Sequence, residues 1–257
     1  MALNPSVTLP NPNQVSQRLL KKTAIGDPPV NLERVLSIWK NLTVVEEDLD
    51  GSGYLLPLGR VGAEIVINQN ESVERRRFTI AHELGHWVLG LICEKKYGEF
   101  QQPPGVPRAA VEKWCDAFAA NLLMPANLVS SWLPAPDQPL LVGAILRASA
   151  AFGVSEEAFF IRVWELARIQ VARLNHDPRR GPSGALTVEK NYGDENAGKS
   201  LMELLSGRRA QEQLQAGGPM IFFTLRNAEG HVSVSGLRSR EGKVVLAVAW
   251  PTTTPAR

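Results

Sequence analysis

The sequence predicts an α+β chain in which a mixed strand-and-helix half is followed by a mainly β tail. Three observations carry this. Segments 73–92 and 108–124 are long and place apolar residues at helical spacing. Shorter β-rich runs, such as 42–49 and 63–68, precede them. After a break rich in Pro, Gly and Arg at 175–184, the runs 220–227, 231–237 and 244–250 read as strands.

Taken in order, residues 1–13 hold three prolines and read as a loose arm. Segments 14–22 and 31–42 have helical periodicity, with Asn31 as a cap. Strands are expected in 42–49 and 53–69, with a turn at Gly59–Gly62. Within the second, 63–68 (AEIVIN) has the look of a half-buried strand. The two long helices follow, the second stopped by Pro125. A proline-bearing break then leads to a helical pair, 140–153 and 155–170, turning at Gly153 with Ser155 as cap. Beyond the linker, the tail adds a strand at 185–192 and a helix at 199–215 to the three strand runs.

Composition sets outer limits. The net charge of +2 is too small to announce nucleic acid. No apolar run is long enough to span a bilayer, and the N-terminus lacks the basic and apolar regions of a secretory leader. Cys93 and Cys115 do not make a disulfide framework. The expected location is the cytoplasm.

The chemistry concentrates in TIAHELGHWVLG, residues 79–90. On an α-helix His82 and His86 lie about 40° apart on one face and one turn apart in height, so two imidazoles can grip one metal ion. Glu83, about 100° round from His82, is badly placed as a ligand but reaches a water on that ion. This is the H-E-x-x-H arrangement of two zinc ligands and a general base. A catalytic zinc needs a third protein ligand. The extended pattern with a third histidine fails, because Leu89 and Ile92 stand at its positions. His176 falls in the linker and His231 in the β tail. Cys93 shares the azimuth of His86 but lies about 10.5 Å further along the axis. Cys115 is read as a small core residue pointing elsewhere. Glu112 and Asp116, four apart on the second helix, offer a ligand and an acceptor for a ligating histidine's free N–H. The same spacing also suits a solvated charge pair.

AEIVIN, then RFTIAHELGHWVL (77–89), then EKWCDAFAANLLMP (112–125) together resemble the ImmA/IrrE metallopeptidase family. The likeness runs from Ala63 to Pro125 and continues weakly through the helical pair. It implies a zincin fold with a thermolysin-like core, a small twisted sheet and active-site helices. It also implies His82, His86 and Glu112 as zinc ligands and Glu83 as catalytic base. Asp116 stands where the family has Asn or Asp. Two departures are Gly90, where many members carry histidine, and Cys115, where they carry alanine. On this reading 14–138 is the peptidase core, 139–174 a helix-turn-helix-like pair, 175–184 a linker and 185–257 a small C-terminal domain. That domain is mainly β with one helix, with a sensory or protein-interaction role.

The expected reaction is hydrolysis of a peptide bond in a specific regulatory protein, a helix-turn-helix repressor by resemblance, controlling a stress or mobile-element response. Zinc is the expected cofactor, with manganese the alternative. Tyr54 and His231 are candidates for stabilising the oxyanion, and AEIVIN for offering its edge to an extended substrate. The alternative class is a DNA- or protein-binding regulator that uses the helical pair and keeps a vestigial or structural metal site. Glu156 and Glu157 at the start of the second helix argue against DNA, since they repel phosphate.

Overall fold

The computed structural model describes residues 8–59, 62–133, 142–167, 169–176, 186–192, 220–227, 230–238 and 243–249. They fall into two units. One comprises residues 1–128 with 150–155, the other 129–149 with 156–257.

The first unit opens with helix α1, Pro12–Thr23. Asn11 caps it by accepting from the Gln14 N–H at 3.1 Å, and Pro12 sits where no N–H is needed. The helix therefore starts inside the stretch read as an arm. The Trp114 Nε1–H donates to the Pro10 carbonyl at 2.5 Å and ties that stretch down. A short α2, Leu32–Leu36, follows, with Asn31 accepting from the Arg34 N–H at 2.8 Å.

Strands β1 (Leu42–Glu47), β2 (Gly53–Pro57) and β3 (Ala63–Asn68) form a sheet in the order β1-β3-β2. Strand β3 runs parallel to β1 and antiparallel to β2. It is the central strand, with Ala63, Ile65, Val66 and Ile67 all buried. The expectation of a half-buried strand with a usable edge is overturned. The consecutive Ile65-Val66-Ile67 run is the mark of a strand covered on both faces. The free edge beside the long helices belongs to β2.

Helix α3, Val73–Tyr97, is capped by Ser72 and ended by Gly98 at φ +83°. It runs five residues past the expected end at Ile92, with Lys95 and Lys96 complementing the negative end of its dipole. Helix α4, Arg108–Leu123, packs against it. Leu84, Leu89, Phe118, Leu122 and Leu123 are buried in this core. Arg77 braces α3 to its surroundings. Its Nε donates to the Gly153 carbonyl at 3.1 Å and its Nη2 to that of Val30 at 2.9 Å. Burial holds this guanidinium below its ordinary pKa.

Helix α5, Ala126–Trp132, which the sequence reading missed, follows Pro125. Helices α6 (Val142–Phe152) and α7 (Glu156–Ala167) flank the turn at Gly153, whose φ is +62°. Helix α7 stops three residues short of expectation. Ile169–His176 is instead strand β4, because Ile169 and Val171 begin an alternation that suits a pleated strand. It extends into the stretch read as a linker and carries His176 at its end. Strands β5 (Leu186–Tyr192), β6 (Met220–Asn227), β7 (Gly230–Arg238) and β8 (Lys243–Ala249) complete an antiparallel sheet in the order β5-β4-β8-β7-β6. In this second unit the Val142 N–H donates to Ser235 Oγ at 3.1 Å, and Phe160 meets Tyr192 edge-on at 5.1 Å. The helix expected at 199–215 lies outside the described residues. No described helix is long and apolar enough to cross a membrane.

Candidate metal centre

Helices α3 and α4 and strand β2 border a cavity of about 900 Å³. Its floor is charged. His82 Nε2 lies 3.2 Å from His86 Nε2 and 3.2 Å from Glu112 Oε2, and His86 Nε2 lies 3.5 Å from that same oxygen. His82 Nδ1 is 2.9 Å from Asp116 Oδ1. An ionised carboxylate can only accept, so Nδ1 carries the proton and donates it, leaving Nε2 as a lone pair. Asp116 thereby selects the tautomer in which His82 turns an electron pair toward His86 and Glu112.

This arrangement tests whether a metal fits. A lone-pair nitrogen and a carboxylate oxygen at such distance repel unless a cation sits among them. A tetrahedral zinc with bonds of about 2.0–2.1 Å places its nitrogen and oxygen ligands roughly 3.3–3.4 Å apart. The three observed separations bracket that value, so the donor set fits one face of such a tetrahedron. Gln102 Nε2 lies 3.4 Å from His86 Nδ1. Rotating the amide so that Oε1 faces the ring lets His86 donate from Nδ1 and frees its Nε2 in the same way.

Glu83 lines the same cavity and is 9% exposed, more buried than the wet edge expected of it. Burial raises its pKa, against the pull of His86 and His82 and a hydrogen bond from the Leu55 backbone N–H. The pairing of β2 explains that donor. The Ser52 carbonyl and Leu58 N–H bond toward β3, so alternation turns the polar groups of Gly53 and Leu55 to the outer edge. For Glu112 burial also raises the pKa, but the Arg108 hydrogen bond at 3.3 Å and the charges of His86 and His82 together hold it below its ordinary value.

Cys115 departs from expectation. Its Sγ and the ligand atoms of His82 and His86 lie within 4.8 Å of one another, a group able to hold a metal. The reason is a close helix approach. A Cβ on Gly85 would stand 3.2 Å from Cys115 Sγ and 3.2 Å from Phe118 Cδ1, so glycine lets α4 bring its thiol beneath the histidine pair. Burial, with Glu112, Glu83 and Asp116 nearby, pushes that thiol far above its ordinary pKa. Cys93 is buried on α3 and is not part of this group.

Tyr54 lines the cavity from β2. His231 is on β7, and its side chain lies outside the described residues. Leu55, Phe100 and Gln102 also line the cavity and were not read from the sequence. The only available signal was Gly90, a glycine inside an apolar helix that marks a close approach.

The IrrE N-terminal-like domain matches residues 40–163 of this chain. No curated protein matches it significantly. Among solved structures, a Mycobacterium tuberculosis transcriptional regulator is similar over 93% of this chain and 75% of its own, with a TM-score of 0.50 and 13% identity. At that identity the likeness is one of fold.

Proposed function

The chain belongs to the IrrE N-terminal-like family of peptidases over residues 40–163, and on that premise we propose that it is a zinc-dependent endopeptidase acting on a specific regulatory protein. The observation that carries the reading is the triangle of His82 Nε2, His86 Nε2 and Glu112 Oε2, with sides of 3.2, 3.2 and 3.5 Å. In this reading these three residues hold the metal in a glutamate-ligand zincin site on a thermolysin-like core, and Asp116 orients His82. Manganese suits the same nitrogen and oxygen donors and is the alternative ion.

A metal so held supplies Lewis acidity, polarising a carbonyl and making a water more acidic. Glu83 accepts the proton of the attacking water and delivers it to the leaving amine. Its buried position favours the protonated state that this relay passes through. Tyr54 is the candidate donor to the developing oxyanion. The outer edge of β2, in place of AEIVIN, aligns the substrate by strand addition.

A helix-turn-helix repressor remains the proposed substrate, by family resemblance. Direct DNA binding is disfavoured by α7 itself. Glu156 and Glu157 occupy its first turn, and Arg162 is buried and reaches Glu165 at 3.0 Å.

The test compares new protein N-termini in cells expressing the wild-type chain or Glu83→Gln. A terminus inside a regulatory protein that needs Glu83 establishes the reaction and its bond together. Identical terminus profiles from two metal-loaded proteins would sink the reading.

A further inference from the structure

The connection between α3 and α4, residues 98–107, folds back to line the cavity. Gly98 (φ +83°) ends the helix, and Gly105 (φ +76°) lies within a turn closed by the Val106 N–H donating to the Pro103 carbonyl at 3.3 Å. Phe100 is its anchor. A Cβ on Gly90 would stand 2.3 Å from Phe100 Cε2 and Cζ, so the ring occupies space that only glycine leaves empty. Trp87 holds the same ring at a centroid distance of 5.0 Å. Phe100 is thus seated on α3 while still lining the cavity, together with Val106 and Val111. This apolar wall shares the cavity with His86: Gly90, which seats Phe100, is one helical turn beyond His86, and Val111 directly precedes Glu112.

We propose that Phe100, seated on Gly90 and flanked by Val106 and Val111, selects a large apolar side chain next to the scissile bond. The inference rests on the metallopeptidase reading and deepens it. Successive residues of an extended peptide advance only about 3.4 Å. A substrate whose carbonyl reaches the histidine pair therefore sets an adjacent side chain against a wall of the same cavity. An apolar side chain gains by leaving water on that wall, and a charged one loses its hydration without a partner.

The test uses the full zinc-loaded chain and a series of amino-acid hydroxamates with isobutyl, benzyl, methyl or carboxymethyl side chains, titrated by calorimetry. Wild type is expected to bind the isobutyl or benzyl compound about 10- to 100-fold tighter than the methyl one. Phe100→Ala is expected to bring that ratio close to one. Gly90→Ala is the second variant. Alanine is the better helix former, so the fold is retained while the added methyl dislodges the ring. It should lower the ratio when Phe100 is present and change nothing in the Phe100→Ala background. An unchanged ratio in both single variants, or a preference for the carboxymethyl compound, overturns the proposal and leaves the peptidase reading standing. Failure of every hydroxamate to bind a chain shown by metal analysis to hold zinc overturns both.

Discussion

Helix pairs α3–α4 and α6–α7 both place charged groups against buried or half-buried partners, and they use them differently. In α7, Arg162 Nη1 meets Glu165 Oε2 at 3.0 Å, three residues away on the same helix. In α3–α4, His82 meets Glu112 across a separation of 30 residues and Asp116 across 34. A pair three residues apart reports on the geometry of one helix. Groups brought together from two elements leave lone pairs facing one another, which is costly unless something binds there. Convergence across elements, more than the presence of charge, marks the site.

That contrast yields four predictions, in descending order of effect on the site. Replacing His86 by alanine removes a corner of the triangle. Metal analysis after dialysis should show an affinity loss larger than the roughly 100-fold that an outer partner costs, and hydrolysis should vanish with it. Glu83→Gln should lower hydrolysis by about 10²–10⁴-fold while metal content stays at wild-type level, which separates the proton relay from the donor set. Asp116→Ala frees the His82 tautomer and should weaken metal binding about 10- to 100-fold in a competition titration with a chelator. Arg162→Met, on the other helix pair, should leave metal content and hydrolysis unchanged. Any metal loss there would break the comparison.

These groups were legible in the sequence to different degrees. The azimuths of His82, Glu83 and His86 follow from helix geometry alone, so local spacing was enough. Glu112 and Asp116 could equally have been a solvated pair, because spacing within α4 says nothing about what α4 faces. Family resemblance points to Glu112, and α4 carries its Oε2 to 3.2 Å from His82 Nε2 and 3.5 Å from His86 Nε2. Cys115 is a core residue as its type predicts, but that it faces the histidine pair depends on how closely α4 approaches Gly85, a non-local quantity. AEIVIN does carry the mark of double-sided burial in Ile65-Val66-Ile67, but its central place between β1 and β2 comes from strand order, which that segment does not encode. The end of α7 was overrun because 164–168 (WELAR) continues a helical pattern until the β alternation takes over. Phe100 and Gln102 sit on an irregular connection, where no periodicity guides a reader.

Gly85 carries one last consequence. It stands between the two histidines where α4 approaches α3 closely, with Cys115 Cα only 3.3 Å from where its Cβ would be. The helices act as the jaws of a calliper whose gap is set in the hydrocarbon beneath the donors. The spacing of the helices that carry the donors is then inherited from core packing. One added carbon at Gly85 would press on Cys115 and Phe118 and push the two helices apart.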